Sequence, residues 1–216
     1  NKTERLTSQL QVGYNVNDQS QFNFKASYSR FNRLIEIPAY TFAGTQQAVF
    51  SEASYNLQQN KITWVFGANF LVDQFAEKAA RTTALSDYQN NTLGAFVQNT
   101  WTAGSFFKLE TGLRADYVNK YGLAWLPRLS AMLKITPALT ARLGGGAGYK
   151  TPSVFNEDAE KTHFQHILPI RQSGPGNEQS DGVNLDLNYR RHIGNFGLTI
   201  TQLFFFTRLN DPLVLT

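Results

Sequence analysis

Hydrophobic and polar residues alternate along almost the whole chain, and a period of two predicts β-strands. In KITWVFGANFLVD (61–73), Ile62, Trp64, Phe66, Ala68, Phe70 and Val72 share one parity; Thr63, Gly67, Asn69 and Asp73 share the other, with Val65 and Leu71 as exceptions. The same pattern sets Leu6, Leu10, Val12, Tyr14 and Val16 against Thr7, Gln9, Gln11, Gly13 and Asn15. It sets Phe22, Phe24, Ala26 and Tyr28 against Asn23, Lys25, Ser27 and Ser29. A weaker run covers about 47–57, and Leu93 to Trp101 follows with Phe96 out of pattern. Phe107 to Tyr117, Leu129 to Ile135, Ala141 to Tyr149 and Val183 to Tyr189 continue it on odd positions, while 196–209 leaves its facing ambiguous. Ten strands are expected, with helix propensity only near 73–85.

The expected connections differ in size. Short ones fall at 17–20, 58–60, 102–105, 136–138 and 192–195. Longer ones fall at about 32–46, 74–90 and 150–178, with 119–122 a short exception. Tight turns at one end and long loops at the other belong to outer-membrane barrels. Several runs approach ten residues, enough for a tilted strand to cross ~30 Å of hydrocarbon, whereas globular strands average nearer 5 or 6. Tyr28, Trp64, Phe70, Trp101, Phe107, Tyr117, Trp125 and Tyr189 stand near strand ends, where interfacial aromatic girdles sit. A lipid-facing apolar parity and a watery polar parity fit better than a soluble β-sandwich.

Composition changes this picture little. The mean hydropathy of −0.33 is compatible with a barrel whose inner half faces water. No apolar run reaches the ~18 residues of a membrane-spanning helix. The net charge of +4 over 216 residues is scattered, so nucleic acid is not an expected partner. Cysteine is absent, which removes thiolate metal sites and cysteine nucleophiles.

Candidate chemistry is sparse. LGGGAGYKT (143–151) lacks the glycine that a phosphate loop places before its lysine, since Tyr149 stands there. Gly144, Gly146 and Gly148 instead share one strand face, where another backbone or a bulky interior element would approach closely. Arg114 and Asp116 point to one side, as do Lys108 and Glu110, which predicts ion pairs rather than a catalytic carboxylate pair. His163 and His166 lie near Glu157, Asp158 and Glu160 in a long loop; no spacing fixes a third metal ligand, so solvated histidines are the plainer reading. His192 is expected in an exposed turn.

The segment ETGLRADYVNKYGLAWLPRLSAMLKITPALTARLGGGAGYKTPSVFNEDAE (110–160) resembles TonB-dependent outer-membrane receptors. The match rests on Gly112, Leu113, Arg114 and Asp116, on Pro127, Arg128 and Leu129, and on Arg142, Gly146, Gly148, Tyr149, Lys150 and Pro152. GAFVQNTW (94–101) and FFFTRLNDPLV (204–214) are similar to strands of the same family, and the loops to its siderophore, haem and vitamin branch in Bacteroidetes-type bacteria. The resemblance implies an all-β, antiparallel transmembrane barrel, of which 1–216 is a portion without plug domain, out of about 22 strands.

It also implies location in the bacterial outer membrane and active uptake of a metal chelate, haem or cobalamin-like ligand. No cofactor, catalytic residue or resident metal is implied. Partners would be outer-membrane lipid, an extracellular small ligand and, through the plug alone, the TonB system. Arg114, Asp116, Arg128, Arg142 and Lys150 would line the lumen toward plug and ligand. His163, His166, Glu157 and Asp158 would be loop candidates for ligand contact. Two alternatives stay open: a ten-stranded outer-membrane protease or lipase using His163 and Asp158, and a soluble β-sandwich binding module.

Overall fold

A computed structural model describes residues 1–38, 40–78, 87–153 and 176–210. Its strands are β1 (Lys2–Asn17), β2 (Ser20–Ile37), β3 (Tyr40–Gln59), β4 (Ile62–Glu77) and β5 (Tyr88–Ala103). They continue with β6 (Phe107–Val118), β7 (Gly122–Lys134), β8 (Leu139–Lys150), β9 (Glu178–Ile193) and β10 (Phe196–Asn210). Each strand pairs antiparallel with its sequence neighbours in one ten-stranded sheet. Among the described residues no ladder joins β1 to β10, so the sheet is an open wall with two edges. Tight turns close one end, where Asn60 (φ 49°) and Gly194 (φ 59°) supply the left-handed backbone that two-residue hairpins need.

Register carries each parity intact from strand to strand. On one face Phe66 stands opposite Tyr55 and Val97, Val97 opposite Leu113, and Leu113 opposite Pro127. On the other, Lys25 faces Glu52, Glu52 faces Asn69, Asn69 faces Gly94, and Gly94 faces Asp116. The apolar face is the open one: Phe66, Leu93, Leu113, Trp125, Leu143 and Val183 are all exposed. No second layer covers it among the described residues, which is the opposite of a sandwich core.

The dimensions of that face suit a bilayer. Ile62 to Val72 on β4 and Phe107 to Tyr117 on β6 hold apolar outer residues, and at ~3.4 Å per residue and a tilt of ~40° each run rises roughly 26 Å. Arg30, Gln47, Gln74 and Gln89 lie in one register row on the outer face and end the apolar band. Tyr28, one outer position below Arg30, donates its hydroxyl to Gln47 Oε1 at 3.4 Å. The register also settles β10: Ile200, Phe204 and Phe206 share the outer face, while Leu203 and Phe205 share the polar one.

Three expectations need correction. The long loop at 32–46 is strand instead: β2 runs to Ile37 and β3 begins at Tyr40. There the apolar residues change face. Ile35, Phe42, Phe75 and Tyr88 sit on the polar parity and form a buried cluster, with Ile37 and Tyr40 packed against it. Phe42 stacks on Phe75 at 6.1 Å and Phe75 on Tyr88 at 5.9 Å. The helix propensity at 73–85 yields to strand through Glu77, while 79–86 lie outside the described residues. Finally, His192 belongs to β9, paired with Gly197, rather than to a turn.

Candidate functional site

Two cavities along the polar wall hold the lumen residues expected from the sequence. One, of about 530 Å³, lies toward the tight turns and is lined by Lys108, Glu110, Arg128, Arg142 and the bare backbone of Gly144 and Gly146. Arg128 Nη2 is 3.6 Å from Glu110 Oε1, so Glu110 pairs across strands and not with Lys108 two residues away. Arg142 rests its Nη2 3.6 Å from the Met132 sulfur and stands opposite Asp186 in register. Gly146 has a reason within the fold: a Cβ there would come 2.9 Å from the Pro127 carbonyl oxygen, so β8 approaches β7 as glycine alone allows.

The other cavity, also about 530 Å³, lies toward the longer connections. Asp73, Asn90, Thr92, Arg114, Asp116, Tyr149 and Lys150 line it. At its base Asp116 is 2% exposed, and a carboxylate this deep needs charge-assisted partners. Arg114 Nε donates to its Oδ1 at 2.8 Å, and the Tyr149 hydroxyl donates to its Oδ2 at 3.0 Å. Space for the carboxylate comes from Gly94 on β5, because a Cβ there would collide with both Asp116 Oδ1 and Asn69 Oδ1. Gly67 likewise admits the ring of Phe96, which explains how that phenylalanine fits among polar neighbours.

The structure therefore brings Arg114, Asp116 and Lys150 to one cavity and Arg128 and Arg142 to the other. Tyr149 is a correction. Its parity in β8 grouped it with Leu143 and the lipid side, yet its hydroxyl reaches Asp116 across β7, in the cavity that Thr92 also lines. Ala124, the β7 residue opposite Asp116, is small enough to pass under it. Sequence reasoning also missed Asn69, Thr92 and Gly94; only a register between distant strands joins them. Asn69 Oδ1 and Asn90 Oδ1 are buried without a hydrogen-bond partner. His163, His166, Glu157 and Asp158 lie outside the described residues. Among the described residues no cluster of three or more His, Cys, Asp or Glu could hold a metal.

Comparison with known proteins agrees with this geometry. A family model described as TonB dependent receptor-like, beta-barrel matches residues 1–211. No curated protein matches the chain. The fold is similar to a mutant ferric enterobactin receptor, PfeA, from Pseudomonas aeruginosa: TM-score 0.73, 17% identity, 96% of this chain and 34% of that one. It is similar to the siderophore receptor PirA from Acinetobacter baumannii, with TM-score 0.72, 15% identity, and coverage of 97% and 35%. The copper transporter OprC gives TM-score 0.65 at 14% identity, over 87% of this chain and 36% of that one. This chain thus spans about a third of the length of the solved proteins it matches.

Proposed function

We propose that this chain, which belongs to the TonB-dependent receptor-like β-barrel family, is the strand wall of a receptor that takes up a scarce ligand across the bacterial outer membrane. The family is one of outer-membrane receptors, not of hydrolases. The ligand class we infer is a metal chelate, haem or a cobalamin-like molecule, in keeping with the siderophore receptors and the copper transporter among its structural neighbours.

One observation carries the reading: a wall of this family presents an apolar face to lipid and, behind it, a polar face with charges, cavities and unpartnered acceptors. Arg114, Asp116, Arg128, Arg142 and Lys150 would face a plug and the passing ligand, acting by hydrogen bonding and charge pairing. Asn69 Oδ1 and Asn90 Oδ1 support this, since a buried acceptor without a donor is unfavourable until an interior element or water supplies one. Residues 1–216 are read as a portion of the barrel domain.

The test is whole-cell uptake by the full-length receptor, in strains with and without TonB. Radiolabelled ferric siderophores, haem, cobalamin and copper complexes are the probes. TonB-dependent accumulation of one class supports the reading, and Arg128→Ala and Arg142→Ala should lower it without lowering receptor abundance. Accumulation no greater than in the deletion strain for every probe would sink it.

A further inference from the structure

The ladder between β7 and β8 stops halfway. It runs from Lys134↔Thr140 to Arg128↔Gly146 and goes no further. Both strands nevertheless continue: β7 stays paired to β6 up to Gly122, and β8 stays paired to β9 up to Lys150. Above Arg128 and Gly146 the wall is therefore split between two strands that each keep their other neighbour.

Sequence explains where the split begins. Even-numbered backbone groups of β7 turn toward β6, as Lys134 N–H does to Phe106, and odd-numbered ones toward β8, as Ile135 N–H does to Leu139. Pro127 is the first odd position beyond the last pair and has no N–H to give. Continued register would set Pro127 against Ala147 and Trp125 against Tyr149. Instead Ala147 gives its N–H to the Pro127 carbonyl but its own carbonyl gets no donor back, and the amides of Leu123, Trp125 and Tyr149 have no ladder across the split. Trp125 and Leu123, opposite Ala115 and Tyr117, lie at the upper end of the outer band, where water can serve such groups; deep hydrocarbon would not.

One side chain spans the break. Tyr149, on the loose end of β8, crosses over β7, bonds Asp116 on β6 and shares a cavity with Thr92 on β5. Arg114 anchors the other oxygen of the same carboxylate. We propose that the end of β8 is a hinged flap in the barrel wall: Pro127 ends the ladder below it, and Tyr149 latches it to Asp116. With the latch released, Gly148 to Lys150 can swing together with the paired end of β9 while β5–β7 and the lower ladder stay in place. This device depends on the fold and on no particular ligand.

Residue-resolved hydrogen–deuterium exchange on the full-length receptor in lipid, without any ligand, tests it. The amides of Leu123, Trp125 and Tyr149 should exchange at least about tenfold faster than those of Leu129, Ala131 and Leu133, which lie inside the ladder. Tyr149→Phe removes the bond to a charged group and should speed the seam amides a further ~10-fold, leaving Leu129, Ala131 and Leu133 unchanged. Thr92→Ala keeps the Asp116 bond and should give a smaller rise, ~2–3-fold. Pro127→Ala supplies the missing donor to the Ala147 carbonyl and, by extending the ladder, should slow Tyr149. Seam amides as protected as Leu129 would show a continuous ladder and overturn the flap. A Tyr149→Phe receptor with unchanged seam exchange would overturn the latch. Both outcomes are read apart from uptake, so they leave the receptor assignment to its own test.

Discussion

Between residues 62 and 72 the large outer side chains of β4 point away from the polar wall, but Phe75, three residues on, lies on the polar side with Ile35, Phe42 and Tyr88. The backbone is the same continuous strand in both places. What differs is the surrounding medium. In the apolar band the outside is hydrocarbon, so Phe66 and Leu113 gain by facing out, and the polar groups keep water or one another inside. Above the row Arg30–Gln47–Gln74–Gln89 both faces would meet water, and the tips of β2–β5 gather their rings on one side as a soluble sheet would. Apolar parity inverts where the solvent changes, without any break in the strands.

Substitutions at the two levels should fail differently. The largest effect is expected from Phe42→Ala, which empties a site now 1% exposed. Removing a packed ring costs about 3–5 kcal/mol, and the loss should appear as rapid exchange in the β2–β3 tips while membrane insertion persists. Next comes Leu113→Arg, midway up the outer band on β6. A cation at that depth costs about 2–4 kcal/mol, seen as a lower urea midpoint for folding into liposomes with the tips unaffected. Loss of tip protection in this variant would mean that the two levels are one cooperative unit.

On the inner side of the same band, Gly94→Ala should cost about 1–3 kcal/mol by displacing the Asp116 and Asn69 side chains, again read by urea titration. The smallest effect should come from Gln74→Leu on the outer face above the band. It should stay within about 0.5 kcal/mol, because that position touches water in either state. A marked gain in insertion there would move the edge of the hydrocarbon upward and blur the distinction between the two levels.

The same contrast explains what was legible in the sequence. Strands through the bilayer announce themselves, since two unlike solvents impose a strict period on residues such as those of 62–72 and 107–117. The tips of β2 and β3 do not, because Ile35, Ile37, Tyr40 and Phe42 follow Arg30 and Asn32 on the other parity and break the expected phase. The Arg114–Asp116 pair was readable from spacing alone, because residues two apart share a face. Glu110 choosing Arg128 over Lys108 was not, since the choice is made by the register of β6 on β7. Nor was Tyr149, whose turn inward depends on β8 losing its β7 neighbour above Pro127. The loop histidines, outside the described residues, stay where the sequence left them.

The unequal strand lengths have a consequence at the cell surface. β3 has 20 residues and β6 has 12, a difference of eight that lifts the β2–β3 hairpin roughly 20 Å above the β6–β7 turn at a tilt of ~40°. An antibody or a phage tail fibre approaching from outside would touch Ile37, Tyr40 and Thr41 before it reached Asn119 to Tyr121. An epitope tag inserted in the taller hairpin should therefore be labelled on intact cells far more readily than one in the shorter turn.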